Sequence, residues 1–114
     1  MASPEQARTA VTELACRLAE LDDQTRARIP DRTVSVLLPD LGSAYTSELQ
    51  DGLLVKITEI DAATAPDTHL RLVMTSDQLV DLVGGRLSFA GAWATGKIRV
   101  HARLRDILEL RKFL

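Results

Sequence analysis

The side chains that most often carry catalysis or bind metals are few in this sequence. Its two histidines, His69 and His101, each fall on the polar side of a predicted strand, between residues of the apolar set. No cysteine or acidic residue stands at metal-ligand spacing from either one. We therefore expect two surface histidines, no metal site and no cofactor.

The possible nucleophiles are better explained as structural residues. Ser76 and Ser88 stand where helices are predicted to begin, and neither they nor Ser47 occurs in a Gly-x-Ser-x-Gly motif. Cys16 falls on a predicted amphipathic helix, where the sequence assigns it no basic neighbour that would activate the thiol. These patterns indicate no catalytic residue and favour a binding protein over an enzyme.

Length and composition limit the class of protein further. The chain has 114 residues, which predicts a single domain over residues 1–114, and 46% of the residues are apolar, enough for one buried core. Its net charge is −2, whereas a general nucleic-acid-binding domain needs a strongly basic surface. We expect no nucleic-acid partner.

The chain lacks the marks of a secreted or membrane protein. Its single cysteine excludes an internal disulfide, and residues 1–15 contain no apolar run typical of a secretory signal. No segment reaches the length of a membrane span. We expect a cytoplasmic protein with no integral membrane segment.

Charge is distributed unevenly along the sequence. Acidic residues predominate between Asp40 and Asp67, and basic residues predominate between Lys97 and Lys112. Two solvated faces would explain this distribution. A basic surface near an opening, meeting an anionic headgroup, a phosphate or transiently a membrane surface, would explain it too.

Helices are predicted where capping signals precede an apolar period of 3.6 residues. Capping boxes at Ser3–Gln6 and Thr75–Gln78 begin two amphipathic segments, of which the first extends to about Asp23. Ser88 is expected to begin a short helix. Apolar spacing predicts a final helix over 104–110.

Between these helices the apolar period changes to two residues, the spacing of strands with one buried face. The first four such segments are expected to form an antiparallel meander, with a tight hairpin at Asp51-Gly52. A fifth strand is predicted after Gly96. The side chains expected on the covered face of the sheet are Val34, Val36, Val55, Ile57, Leu70, Leu72, Met74, Ile98 and Val100.

The C-terminal half carries an ordered set of motifs. Thr75-Ser76-Asp77-Gln78-Leu79 begins a helix, Gly85-Arg86-Leu87 follows, and Ala92-Trp93-Ala94-Thr95-Gly96-Lys97-Ile98-Arg99-Val100 leads through an aromatic segment into a strand. With the final helix, this set resembles the sterol carrier protein two family, which the earlier elements match in order only. His101-Ala102-Arg103 departs from the Gly-Asn turn of many members, and the terminal Ser-Lys-Leu peroxisomal tag is missing.

The resemblance implies an α+β fold: a five-stranded, mostly antiparallel sheet with helices covering one face and an apolar tunnel between them. It implies binding or transfer of a lipid-like molecule, such as a fatty acid, an acyl-CoA, a sterol or an isoprenoid, without catalytic residues. The side chains that it places around the ligand are Leu72, Met74, Leu79, Leu82, Val83, Phe89, Trp93, Leu104 and Leu108.

A charged headgroup would need a base at the mouth of the tunnel. The bases available are Arg86, Lys97, Arg99 and Arg103, although surface solubility explains each of them equally well. Two other functions remain open. One is a scaffold or dimerisation domain with a collapsed cavity, and the other is an accessory subunit that presents an apolar substrate to a partner enzyme. Both a monomer and a homodimer fit the sequence.

Overall fold

The structure, a computed structural model, describes residues 2–103 together with Arg105 and Leu108. The predicted final helix therefore lies largely outside the described residues. Within these residues the helices are α1 (Pro4–Ala19), α2 (Asp23–Ala27), α3 (Ser76–Val83) and α4 (Phe89–Ala94), and a 3-10 turn occupies Ala62–Thr64. The strands are β1 (Arg32–Leu38), β2 (Ser43–Gln50), β3 (Leu53–Asp61), β4 (Leu70–Val73) and β5 (Arg99–Ala102).

The five strands form one mixed sheet in the order β3-β2-β1-β4-β5. The first three are antiparallel neighbours, as predicted, but β4 lies on the other side of β1 and runs parallel to it, with Val36 opposite Leu72. The predicted four-stranded meander is therefore wrong for its fourth strand. Residues 62–69 can reach about 26 Å when extended, enough to cross the roughly 14 Å from β3 to β4 and to return roughly 13 Å along the strands, about 19 Å in a straight line. Alternation of apolar residues identifies a strand but does not choose its neighbour.

Both predicted capping boxes are confirmed. Ser3 accepts a hydrogen bond from the amide of Gln6, and Thr75 accepts one from the amide of Gln78, with the glutamine side chain returning to the capping residue in each case. The first helix ends at Ala19, earlier than predicted. A separate helix, α2, follows because the Asp22 carboxylate caps it by accepting from the amide of Thr25.

Helices α1, α3 and α4 pack on the same face of the sheet. Their buried apolar residues form one cluster with Val36, Leu38 and Tyr45 of the sheet. This arrangement confirms the predicted α+β fold with helices over one face. In this cluster the apolar faces of the helices pack against the apolar face of the sheet.

A β-bulge changes which side chains of β3 face the helices. The register shifts between Thr46 and Glu48, and Lys56 has a positive φ of 55°. Tyr45 pairs with Glu59 whereas Glu48 pairs with Val55, so Val55 lies on the face opposite Tyr45. The prediction that Val55 faces the helices is therefore wrong, and Ile57 is exposed.

The start of α3 is held by the turn between β1 and β2. Ser76 is fully buried, and its amide and hydroxyl donate to the Asp40 carboxylate at 3.0 and 2.5 Å. The amide of Ala2 in turn donates to the Ser76 hydroxyl at 3.2 Å. One carboxylate thus joins the sheet, the first turn of α3 and the segment before α1.

We expect Asp40→Ala to lower the free energy of unfolding by about 1–3 kcal/mol, because the buried amide and hydroxyl of Ser76 would lose their acceptor. Urea denaturation measures the change. Asp61→Ala is the matched control, since Asp61 is exposed and its side chain caps nothing, and it should cost no more than about 0.5 kcal/mol. Equal losses in the two variants would contradict the assigned role of Asp40.

Candidate functional site

Most of the side chains predicted to line a ligand lie in the apolar layer between the helices and the sheet. Met74, Leu79 and Val83 are buried within the core cluster, each at most 3% exposed. Leu72, Leu82 and Phe89 pack against that cluster and remain partly exposed. The predicted lining residues therefore form a buried centre with a half-buried rim.

The three remaining predicted lining residues have different positions. Trp93 is half-buried on α4 and contacts Phe89, with ring centroids 5.9 Å apart and planes tilted by 55°. Leu108 is 52% exposed. Leu104 lies outside the described residues.

Sequence reasoning placed no residue of α1 or β2 around the ligand, because the motifs that carry the resemblance begin at about Leu70. In the structure, Ala7, Ala10 and Val11 of α1 and Tyr45 of β2 belong to the same buried cluster. Ala7 and Val11 follow the 3.6-residue apolar period of the first predicted helix, and this spacing is the signal that could have placed them at the core. These small side chains on α1 allow it to pack closely over the layer.

A polar group of three residues lies where α1 meets β3. The Arg8 guanidinium donates to Glu59, with Nε at 2.7 Å from Oε2, and this carboxylate raises the pKa of Arg8. Burial, followed by the negative charge of Glu59, raises the pKa of the Tyr45 phenol. Tyr45 therefore stays a neutral phenol at neutral pH, with its ring in the core cluster.

The four predicted headgroup bases do not converge on one opening. Arg86 pairs with Asp81 at 3.0 Å and lines a groove of about 430 Å³ between α1 and α3. Arg99 pairs across the sheet with Val73, one position from the Leu72 that joins the core, so Arg99 faces away from the helices. Arg103, which follows β5, lines a cleft on that same side. Lys97 is exposed in the turn after α4.

A second concavity lies on the sheet face opposite the helices. It is a cleft of about 690 Å³ with Leu37 and Val73 among its lining residues. Both histidines are exposed, as predicted, yet the structure brings His69 and His101 together in this cleft, alongside Arg71 and Arg103. Their separation in sequence gave no signal for this convergence.

The described part of the chain has neither a metal-binding cluster nor a membrane-spanning helix. Within residues 2–103, and including Arg105 and Leu108, no group of three histidine, cysteine or acidic residues could hold a metal ion. Within the same residues, no helix is long and apolar enough to span a membrane.

The fold recurs in known structures although the sequence does not. No protein-family model matches the sequence, and no curated protein matches it significantly. Sterol carrier protein 2-like 2 from Aedes aegypti is 11% identical, with a TM-score of 0.68 over 96% of this chain and 97% of that one. Sterol carrier protein 2 from Aedes aegypti, solved with the C16 fatty acid palmitate, is 21% identical, with a TM-score of 0.65 over 99% and 96% of the two chains.

The same fold also matches part of an enzyme. The sec-alkylsulfatase Pisa1 from Pseudomonas sp. is 18% identical over 84% of this chain, with a TM-score of 0.58, but the match covers only 14% of the alkylsulfatase. The sterol carrier protein structures, in contrast, are matched over nearly their entire length. Strand order, helix placement and these matches agree, and the chain has the sterol carrier protein 2 fold.

Proposed function

We propose that this protein binds a lipid-like molecule, without catalysing a reaction on it, in the apolar layer between its helices and its sheet. The observation that carries the proposal is the half-buried apolar rim around a fully buried centre. Leu72, Leu82 and Phe89 remain partly exposed although they pack against the core. An alkyl chain laid along them would remove this apolar surface from water. The palmitate-bound structure with the same fold supports a fatty acid as the first ligand to test.

Burial of an alkyl chain supplies enough free energy for such binding. Each methylene removed from water contributes about 0.8 kcal/mol, so ten of them contribute about 8 kcal/mol before ordering costs. That sum corresponds to affinity on the micromolar scale at best. No constellation of catalytic groups is required, which agrees with the poverty of such groups in the sequence.

Of the four predicted headgroup bases, Arg86 is the one that we propose binds the headgroup of the lipid. It lines the groove between α1 and α3 together with Ala10 and Val83, which also belong to the core cluster. Its pairing with Asp81 is largely exposed, so an anionic headgroup can compete for it at small cost. A single domain over residues 1–114, a cytoplasmic location and a monomer or homodimer remain predictions from the sequence.

Palmitate should change the emission of Trp93 saturably and raise the melting temperature. Trp93 is the single tryptophan and contacts Phe89 on the rim, so a chain bound there alters its surroundings. A ligand at 100 times its Kd stabilises the folded state by about 2.7 kcal/mol. Fluorescence titration and thermal unfolding measure the two effects. If neither changes with fatty acids, acyl-CoAs, sterols or isoprenoids, the collapsed scaffold domain becomes the better explanation.

Leu82→Trp should weaken palmitate binding by about tenfold or more while leaving the melting temperature nearly unchanged. Leu82 is half-buried on the rim, where an indole ring would occupy the proposed ligand volume without entering the packed centre. Leu21→Trp is the matched control, because Leu21 is 37% exposed and lies outside the cluster. A large loss of stability with unchanged binding would show that Leu82 fills ordinary core, where overpacking costs about 1–3 kcal/mol.

A second candidate function is presentation of an apolar substrate to a partner enzyme. The match to one part of an alkylsulfatase favours it, because the same fold there belongs to a much longer enzyme chain. We expect the isolated protein to bind a secondary alkyl sulfate in competition with palmitate and not to hydrolyse it. Competition is followed by Trp93 emission and hydrolysis by sulfate release. Turnover above the buffer rate, lost on Leu82→Trp, would overturn the non-catalytic assignment.

A further inference from the structure

We infer that the cleft on the sheet face opposite the helices is a binding site for a phosphate or diphosphate group. The cleft is separate from the proposed lipid layer, because the sheet lies between them. It holds both histidines of the chain and two arginines, none of which the lipid-binding proposal uses.

The strand register creates an array of bases on this face. Arg71 of β4 stands directly opposite His101 of β5, and Arg103, one residue past the end of β5, lines the same cleft. The guanidinium of Arg71 and the imidazole of His101 can therefore both donate hydrogen bonds to one bound anion.

These bases have little competition from protein acids. Neither His101 nor Arg103 forms a side-chain hydrogen bond or ion pair with any residue that the structure describes. Asp67 is the one acid among the described lining residues, and its fully exposed carboxylate is 3.8 Å from Arg71. Such an exposed pair is easily exchanged for a phosphate, whose geometry matches the guanidinium fork.

Two of the donors are held in position by the backbone. Arg71 donates through Nη2 to the carbonyls of Ala65 and Pro66 at 3.3 and 3.2 Å, which fixes the guanidinium beside the cleft. The amide of Thr33 donates to Nδ1 of His69 at 3.0 Å, which holds the imidazole ring in place. Because Nδ1 is the acceptor in this bond, Nε2 is the ring nitrogen left to donate to a ligand.

The cleft fits a small phosphate-bearing molecule better than a membrane surface. Its lining is concave, and Leu37 and Val73 provide half-buried apolar surface beside the bases. A phosphate could therefore come from a free phosphate compound or from an amphiphile with a short apolar group. Pyrophosphate and geranyl diphosphate present the shared chemistry without and with such a group.

Titration with inorganic pyrophosphate, followed by two-dimensional ¹H–¹⁵N NMR, tests the site. Saturable shifts confined to the amides around 67–71 and 99–103 are expected. Arg103→Gln and His101→Ala should each weaken binding by about tenfold or more, the loss of one charge-assisted hydrogen bond. Arg28→Gln, an exposed position outside the cleft, removes the same charge as Arg103→Gln and should leave binding unchanged.

Two further measurements identify the source of the phosphate and test the alternative that this face contacts a membrane. Tighter binding of geranyl diphosphate than of pyrophosphate would assign an amphiphile, and equal binding a free phosphate compound; both support the site. Equal weakening in Arg28→Gln, or no saturation, would reduce the array to a general basic surface and overturn the proposal. Binding to phosphatidylserine vesicles without pyrophosphate binding would overturn it in favour of membrane contact.

Discussion

The parallel pairing of β4 with β1 is the contact on which both proposed sites depend. By leaving the meander and joining the far side of β1, β4 places Leu72 beside Val36 on the helix side of the sheet. The same pairing places Arg71 on the other side, across from His101. Helix α3 follows β4 directly, so this one register positions it over the core.

The sheet then separates two kinds of chemistry. Its covered face is apolar, with Tyr45 contributing a neutral phenol near the Arg8–Glu59 pair at the edge. On its other face, His101 and Arg103 form no side-chain hydrogen bond or ion pair with the described residues, and Arg71 pairs with the exposed carboxylate of Asp67. An alkyl chain and a phosphate need opposite environments, so the apolar face suits the proposed lipid and the basic face suits the proposed phosphate.

Short polar links hold this architecture without contributing chemistry. Asp40 ties Ser76 at the start of α3 to the turn after β1, and Ser35 is fully buried against Thr68 on the other face. Each link satisfies polar groups that burial would otherwise leave unpaired. Of the serines considered as possible nucleophiles, Ser88 caps α4 and Ser76 is a buried hydrogen-bonding group at the start of α3.

The sequence by itself determined the local elements, because caps and apolar periods act between residues a few positions apart. The boxes at Ser3 and Thr75, the hairpin at Asp51-Gly52 and most of the apolar core were all predictable. Tertiary structure alone decided the neighbour of β4, the bulge at Lys56 that turns Val55 away, and the placement of His69 and His101 in one cleft. These features depend on pairings between strands distant in sequence, whose choice is made by the total burial of the sheet and not by any local pattern.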